Sequence, residues 1–295
     1  MNADTQAVES AQFRRRARRL PFGTVSGRIG VVLAIGVIGI AAIGPAIAPH
    51  SATAVVGTPF EPPTKTIPLG TDEIGRDVLS RVLVGGWSLL VFAGGATLLA
   101  YLVGGTVGLV AGFNRSLLDP ALMRTVDVIL AFPPILFLLL LAAGMGPGVL
   151  SLIIGISVVQ IPGVARIIRT ATLETSVRGY VEAAIARGER TSRILRREVL
   201  PNIAGPISAD VGPRFTVSVL LVAALNYLGL GRQPPAADWA VMVSENRTAL
   251  TIPPWTVSLS VLVPALLIAA LAISVNLIAD ASVSTWQRDG SPQGN

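Results

Sequence analysis

Cysteine is absent from this 295-residue chain, histidine occurs once, and the only lysine is Lys65. Without cysteine, the chain has no disulfide, no thiolate metal site and no thiol nucleophile. A P-loop binds phosphate through a glycine-rich turn that ends in Lys followed by Ser or Thr, whereas Lys65 follows Thr64 and two prolines. The chain therefore has no P-loop, and any ATP chemistry must come from another polypeptide.

The single histidine, His50, follows the first apolar run without a catalytic partner near it in the sequence. We interpret it as an interfacial residue. Since no other arrangement of nucleophile and base stands out, we expect neither an enzyme nor a cofactor.

Charge is scarce: 14% of the residues are charged and 52% are hydrophobic, against about 25% charged in ordinary soluble domains. Apolar runs of about 20 residues recur, which is the length that a helix needs to cross the hydrocarbon core. The chain is therefore predicted to be an all-α polytopic membrane protein. The net charge of +6 does not indicate nucleic-acid binding, because no base-stacking aromatics accompany the arginines. Such an excess is typical of cytoplasmic loops.

The apolar runs predict six transmembrane helices, near 29–48, 87–112, 123–143, 149–165, 207–230 and 258–279. Pro133-Pro134 interrupts the third. The first run also fits a signal peptide, since Ala46-Ile47-Ala48 matches the cleavage pattern. It is longer than the usual apolar core of about 7–15 residues, so we prefer an uncleaved helix.

Arginine is distributed unevenly between the two sets of loops. The N-terminal segment, the 113–124 connection and the 166–205 segment carry most of it, whereas the longer loops at 50–86 and 231–257 carry few cations. The positive-inside rule makes the first set cytoplasmic. With six spans, both termini are then predicted to be cytoplasmic.

The segment 178–202, "RGYVEAAIARGERTSRILRREVLPN", is charged although it lies between apolar runs. Its apolar residues fall on one face of each of two short helices, namely Val181, Ala184 and Ile185, then Ile194, Leu195 and Val199. Gly188 predicts a bend between the helices, and Pro201 is predicted to lie near the end of the second. A helix in the lipid headgroups and a docking surface for a cytoplasmic partner explain this periodicity equally well.

One pattern in this segment resembles the EAA loop of binding-protein-dependent ABC importer permeases. It consists of Glu182-Ala183-Ala184, Gly188 four residues later, and Leu200-Pro201. Four further blocks resemble the C-type permease subunit of the dipeptide/oligopeptide/nickel branch, in the same order along residues 20 to 280: 68–85, 127–136, 227–235 and 254–255. A lone EAA would be a weak signal, whereas five blocks in sequence are a strong one.

The resemblance implies a type I importer (MetI-like) core in a bacterial plasma membrane. It implies four partners: a second permease subunit, two ATP-binding subunits and an extracytoplasmic substrate-binding protein. The implied parts are a basic N-terminal segment (1–28), the first helix with its outer loop (29–86), the permease domain (87–280) with the coupling segment 178–202, and a cytoplasmic tail (281–295).

The resemblance also implies roles for individual residues. Those expected to couple to the ATPase are Tyr180, Glu182, Ala183, Ala184, Gly188, Leu200 and Pro201. Those that match the block in the outer loop, with a structural or binding-protein-facing role, are Gly70, Asp72, Gly75, Arg76 and Asp77.

The residues of that outer block also support predictions that do not depend on the resemblance. Asp72, Glu73 and Asp77 are predicted to share one exposed loop with Arg76, as a metal site or, more in keeping with the pattern, as a structural turn or a salt-bridged helix start. Thr71 or Asp72 is predicted to cap a helix that begins near Glu73.

An ion-coupled secondary transporter and a non-transporting membrane scaffold are the alternative functions. A secondary transporter usually carries buried carboxylates or broken-helix ion sites, whereas Asp127 and Asp210 are predicted near span ends. The deeper polar residues, Gln160, Asn226 and Asn276, more commonly join helices by hydrogen bonds. No residue in the spans identifies the solute.

Overall fold

The computed structural model describes residues 24–114 and 118–288, with side chains as far as Ala281. The arginines at positions 14–19 and Arg115, on which part of the predicted orientation depends, lie outside the described residues. So do the last seven residues of the predicted tail.

The described chain is built from helices. The first five are α1 (Val25–Ile47), α2 (Val78–Phe113), α3 (Leu118–Leu130), α4 (Pro134–Met145) and α5 (Val149–Ser176). The charged segment contains α6 (Gly179–Ala186), α7 (Thr191–Ile194) and a π-helical turn (Leu195–Val199). After it come α8 (Leu200–Tyr227), α9 (Trp239–Glu245), two 3-10 turns (Arg247–Thr251 and Trp255–Ser258) and α10 (Leu259–Arg288).

Five stretches of the described chain are long and apolar enough to cross a membrane: α1, α2, α5, Thr191–Tyr227 and Trp255–Ala281. The pair α3–α4 passes the same test only when taken together, and its two helices meet at 87°. Counting the pair as one broken span gives the six that the sequence predicts. The predicted interruption at Pro133-Pro134 is confirmed, because α4 begins at Pro134, directly after the break.

Several helices extend beyond the predicted spans. α2 begins at Val78 instead of residue 87, α5 continues to Ser176 instead of 165, and α10 continues to Arg288 instead of 279. Hydropathy marks only the part of a helix that lipid can cover, and the hydrogen-bonded backbone continues beyond it. The predicted part boundaries at residues 28, 86 and 280 accordingly fall inside helices.

α2 and α5 pack closely along much of their length, because one face of α2 carries glycine at every fourth residue. Cβ atoms built on Gly104, Gly108 and Gly112 would lie only 2.9, 2.6 and 2.7 Å from carbonyl oxygens of α5. Small residues at this spacing let two membrane helices approach at backbone distance. These two helices form the centre of the bundle.

Two apolar cores lie around this centre. One surrounds Val78, Leu89 and Trp239 at the end where the long loops meet, which we call the loop end. The other surrounds Val164, Val181 and Ile203 at the end that carries α6 and α7, which we call the coupling end. α2 reaches both, since Val78 belongs to the first core and Phe113 packs on the second.

Candidate functional site

The charged segment consists of two helices joined by a bend, as predicted. α6 ends at Ala186, and Gly188 adopts a φ of +74°, in the left-handed region. The Gly188 N–H donates to the Ile185 carbonyl at 2.9 Å, which closes the end of the helix. Any residue with a Cβ would be strained here, so glycine is required by the backbone. The space around Gly188 is open.

Pro201 does not lie near the end of the second helix, and that prediction is wrong. A π-helical turn over Leu195–Val199 joins α7 to α8, and the Leu200 N–H donates to the Leu195 carbonyl. Pro201 falls in the first turn of α8, where the missing N–H leaves few backbone bonds unmade. The coupling segment therefore continues directly into a membrane helix.

One face of the coupling segment is buried in the protein's own core. Val181, Ala184 and Val199 have no exposed surface, and Ile194 is 2% exposed. They pack in the coupling-end core with residues of α2, α5 and α8, including Ala100, Val164, Ile168 and Ile203. The segment is thus attached to three membrane helices.

The opposite face of α6 is exposed. Glu182 and Ala183 lie on it, and Ile185 is exposed as well, although the periodicity predicted Ile185 on the buried face. Tyr180 is 38% exposed. The Glu182 side chain has no hydrogen-bond partner among the described residues. This face offers a carboxylate, small side chains and two larger apolar ones for contact.

Ala184 is the exception among the predicted ATPase-contacting residues. It was expected, with Ala183, to let another protein approach closely, but it is fully buried and so cannot contact a docked partner. Adjacent helical residues differ by about 100° in direction, which is why the pair divides between the two faces. Of the remaining predicted residues, Gly188 and Pro201 are exposed and Leu200 is partly buried.

A buried cluster of charges occupies the loop end. Asp72, Arg76 and Arg81 are at most 2% exposed, and Glu245 is 9% exposed at its side chain. The Asp72 carboxylate accepts from both guanidinium groups and from the Arg76 N–H. Glu245 Oε2 accepts from Arg76 Nη2 at 2.9 Å and from Arg81 Nη2 at 2.8 Å. Two cations and two anions neutralise one another out of water.

The prediction of an exposed loop is therefore wrong, although the predicted structural turn is present, with Asp72 and Arg76 paired in it. The charges are buried because the second loop contributes Glu245 and covers them, which no local pattern reveals. Burial, followed by the nearby Glu245 and Asp72 carboxylates, raises the pKa of Glu73. Among the described residues, no group of three or more acids, histidines or cysteines is arranged to hold a metal ion.

Asp77 is the cap of α2, so the predicted cap at Thr71 or Asp72 is also wrong. Its carboxylate accepts from the N–H groups of Leu79 and Ser80, as N-cap carboxylates do. It also lies 3.1 Å from His50 Nδ1. His50 thus has a partner that its sequence neighbourhood did not reveal, and the pair ties the end of α1 to the start of α2.

Two glycines of the outer block shape the turn that carries Asp72. Gly70 and Gly75 have φ of +74° and +86°. Cβ atoms at these positions would lie 2.4 and 2.2 Å from the carbonyl oxygens of Glu61 and Gly57. The block is therefore compact, and its glycines are required by both backbone angle and space.

The second long loop is locked onto α2 through Trp239. The indole is fully buried, and its Nε1 donates to the Val82 carbonyl at 2.8 Å. A Cβ on Gly86 would lie 2.5 Å from the ring. Asp238 caps α9 and accepts from Ser88 Oγ at 2.6 Å. The loop end is consequently a rigid platform.

Arg81 and Glu245 were not among the site residues predicted from the sequence. Arg81 carried a usable signal, because it is a cation near the start of a helix that is otherwise apolar, nine residues after Asp72. Glu245 carried none, since it lies in a polar loop far along the chain.

A sequence model of the family described as "Binding-protein-dependent transport system inner membrane component" matches residues 104–287. The chain is 35% identical to the di/tripeptide transport system permease protein DppC of Pseudomonas aeruginosa, over 72% of this chain and 69% of that protein. It is 34% identical to a putative peptide transport system permease protein of Brucella suis, over 90% and 87%. It is also 34% identical to the glutathione transport system permease protein GsiD of Pectobacterium atrosepticum, over 75% and 72%.

The fold is similar to that of a chain in an inward-facing structure of the MetNI methionine ABC transporter. The TM-score is 0.51 at 18% sequence identity, covering 69% of this chain and 96% of that one. At this identity the likeness concerns the fold alone.

Proposed function

Since the chain belongs to the family of binding-protein-dependent transport system inner membrane components and is the permease subunit of an ABC importer, we propose that it admits short peptides through a path shared with a second permease. Two ATPase subunits would drive the cycle by binding the coupling segment. A substrate-binding protein would deliver the peptide at the loop end. The family predicted from the five sequence blocks is confirmed.

One observation carries this proposal. α6 is buried on one face in a core shared with α2, α5 and α8, and it is exposed on the other. A partner that moves the exposed face therefore displaces three membrane helices together. Neither a helix lying in headgroups nor an anchor needs this attachment to the core.

The peptide class rests on what the relatives are named for, namely di- and tripeptides, peptides and glutathione. The second permease is supported by the broken pair α3–α4, whose surface exposes many large apolar side chains, among them Val128, Phe132, Ile135, Leu136 and Leu140. A second helical subunit would cover part of this surface, and lipid the rest.

The orientation is part of the proposal. Most exposed arginines of the described chain belong to the coupling end, including Arg178, Arg187, Arg193, Arg196 and Arg197. By the positive-inside rule this end is cytoplasmic, with both termini on the same side of the plasma membrane. The loop-end platform then faces outward, where a binding protein would dock.

The ion-coupled alternative gains no support. Asp127 and Asp210, the acids considered for it, lie within 2.6 and 3.2 Å of Arg166 and Arg214, so they are neutralised within the chain. A scaffold without a path would not need the attached coupling segment.

The test is co-purification of the ATPase from membranes in mild detergent, for wild type, Gly188→Asp and Glu182→Lys. Aspartate at residue 188 would add a carboxylate to the open surface of the bend, and lysine would reverse the exposed charge of residue 182. We expect each to lower ATPase recovery, or peptide-stimulated ATP hydrolysis, by about tenfold, as loss of one central interface contact does.

Arg187→Lys is the matched control, because it keeps an exposed cation directly after the same helix. All four proteins must reach equal levels in the membrane. Unchanged ATPase recovery and unchanged stimulation in both test variants would contradict the proposal.

A further inference from the structure

A polar stripe runs along one exposed face of α5 at the coupling end. Arg166, Thr170 and Glu174 are exposed and recur every fourth residue, so they share one face of the helix. They line a groove of about 400 Å³, together with Ile167 and Ala171 of α5 and Pro206 of α8. A cation stands at one end of the stripe and an anion at the other.

Arg166 makes one ion pair between exposed side chains, with Asp127 of α3. Its Nη2 lies 2.6 Å from Asp127 Oδ1, with the two side chains 54% and 58% exposed. The neighbouring pair, Asp119 and Arg169, already joins α3 to α5 through two bonds of 2.6 Å and is more deeply buried. Arg166 therefore keeps N–H donors available for a further anion.

Glu174 is available in the same way. Its carboxylate has no hydrogen-bond or ion-pair partner among the residues that the structure describes. Thr170 lies between the two charges and adds a hydroxyl that both donates and accepts.

The groove lies at the depth of the membrane boundary. Arg166 is seventeen residues into α5, or about 26 Å from its start at Val149, near the far side of a hydrocarbon core about 30 Å thick. Thr170 and Glu174 lie one and two turns further along α5, beyond the hydrocarbon core, so the stripe meets water at the coupling end. The stripe is therefore placed where a solute would leave an aqueous path.

We propose that this groove is a peptide subsite at the inner end of the path, where Arg166 receives the C-terminal carboxylate and Glu174 the N-terminal ammonium. The inference rests on the proposed function and adds to it a site and a length preference. The two charged residues are eight positions apart, or about 12 Å along the helix. An extended chain covers about 3.5 Å per residue, so a peptide of about three residues spans the stripe.

The test uses the absence of cysteine from this chain. Thr170→Cys gives the subunit a single thiol in the groove, and its rate of labelling by a water-soluble maleimide is measured in the complete importer in lipid nanodiscs. Trialanine at about ten times its dissociation constant should slow labelling about tenfold, because only the unoccupied fraction of sites reacts. Trialanine with an acetylated amine and an amidated carboxyl should not. Adding Arg166→Gln should abolish the protection.

Ser208→Cys is the control, since it is exposed on α8 and does not line the groove. Neither peptide should change its labelling. Equal protection by the capped peptide, protection that survives Arg166→Gln, or a thiol at residue 170 that the reagent cannot reach would overturn the subsite. Trialanine uptake by the same importer in liposomes separates the two proposals, because uptake without protection refutes only the subsite. Absence of ATP-driven uptake refutes the proposed function.

Discussion

The charged groups at the two ends of the bundle are arranged in opposite ways. At the loop end, Asp72, Arg76, Arg81 and Glu245 are buried and form salt bridges with one another. At the coupling end, the side chains of Glu182, of the two arginines that flank α6 and of the arginine in α7 are exposed. Buried, mutually paired charges fix one geometry, whereas exposed charges remain available to partners. We infer that the loop end is built as a fixed platform and the coupling end as a contact surface.

The largest expected effect comes from breaking the buried cluster. Arg81→Met leaves the Asp72 and Glu245 carboxylates buried with one cation between them. Removing one member of a buried ion pair costs about 3–5 kcal/mol of stability, so we expect little folded protein. Membrane abundance and the unfolding temperature in mild detergent measure this.

Arg187→Met is the matched change at the coupling end, where the guanidinium is 59% exposed and bonds only to nearby Glu189 within the described chain. Exposed substitutions of this kind cost less than about 0.5 kcal/mol. Equal losses of stability in Arg81→Met and Arg187→Met would contradict the inference that the loop end is fixed by its charges and the coupling end is not.

The next largest effect comes from placing the same charge on the buried and on the exposed face of the coupling segment. Ala184→Asp places a carboxylate in the coupling-end core without a partner and should cost about 2 kcal/mol or more, loosening α6 from the membrane helices. Ala183→Asp, one residue away, adds the same group on the exposed face. It should leave the fold intact while it weakens ATPase binding. Amide hydrogen exchange over residues 179–199 distinguishes them.

In Ala184→Asp the exchange of this segment should accelerate, and in Ala183→Asp it should not. If both variants exchange like wild type, the buried face is not what attaches the segment.

Much of this architecture could be predicted from sequence because lipid imposes simple constraints. Apolar length places the spans, and the double proline at 133–134 places the break in the third. The bend at Gly188 follows from a single glycine between two periodic stretches. These features are local, so a short window of residues contains them.

What the sequence could not supply depends on contacts between distant segments. Glu245 and Asp72 are 173 residues apart, yet they share the same two arginines. The burial of Ala184 beside the exposed Ala183 depends on which face of α6 meets α2 and α5. In both cases the decisive partner lies outside the local pattern.

The smallest expected effect is the difference in stability lost when each of the two ion pairs between α3 and α5 is removed. Arg169→Gln removes the partly buried pair with two bonds, and should cost about 1 kcal/mol, at the upper end for such pairs. Arg166→Gln removes a single bond between two exposed side chains and should cost a few tenths of that at most. Thermal unfolding of the two variants under the same detergent and salt conditions measures the difference. A larger loss for Arg166→Gln would make that pair a structural clamp, and Arg166 would then not be available to a passing carboxylate.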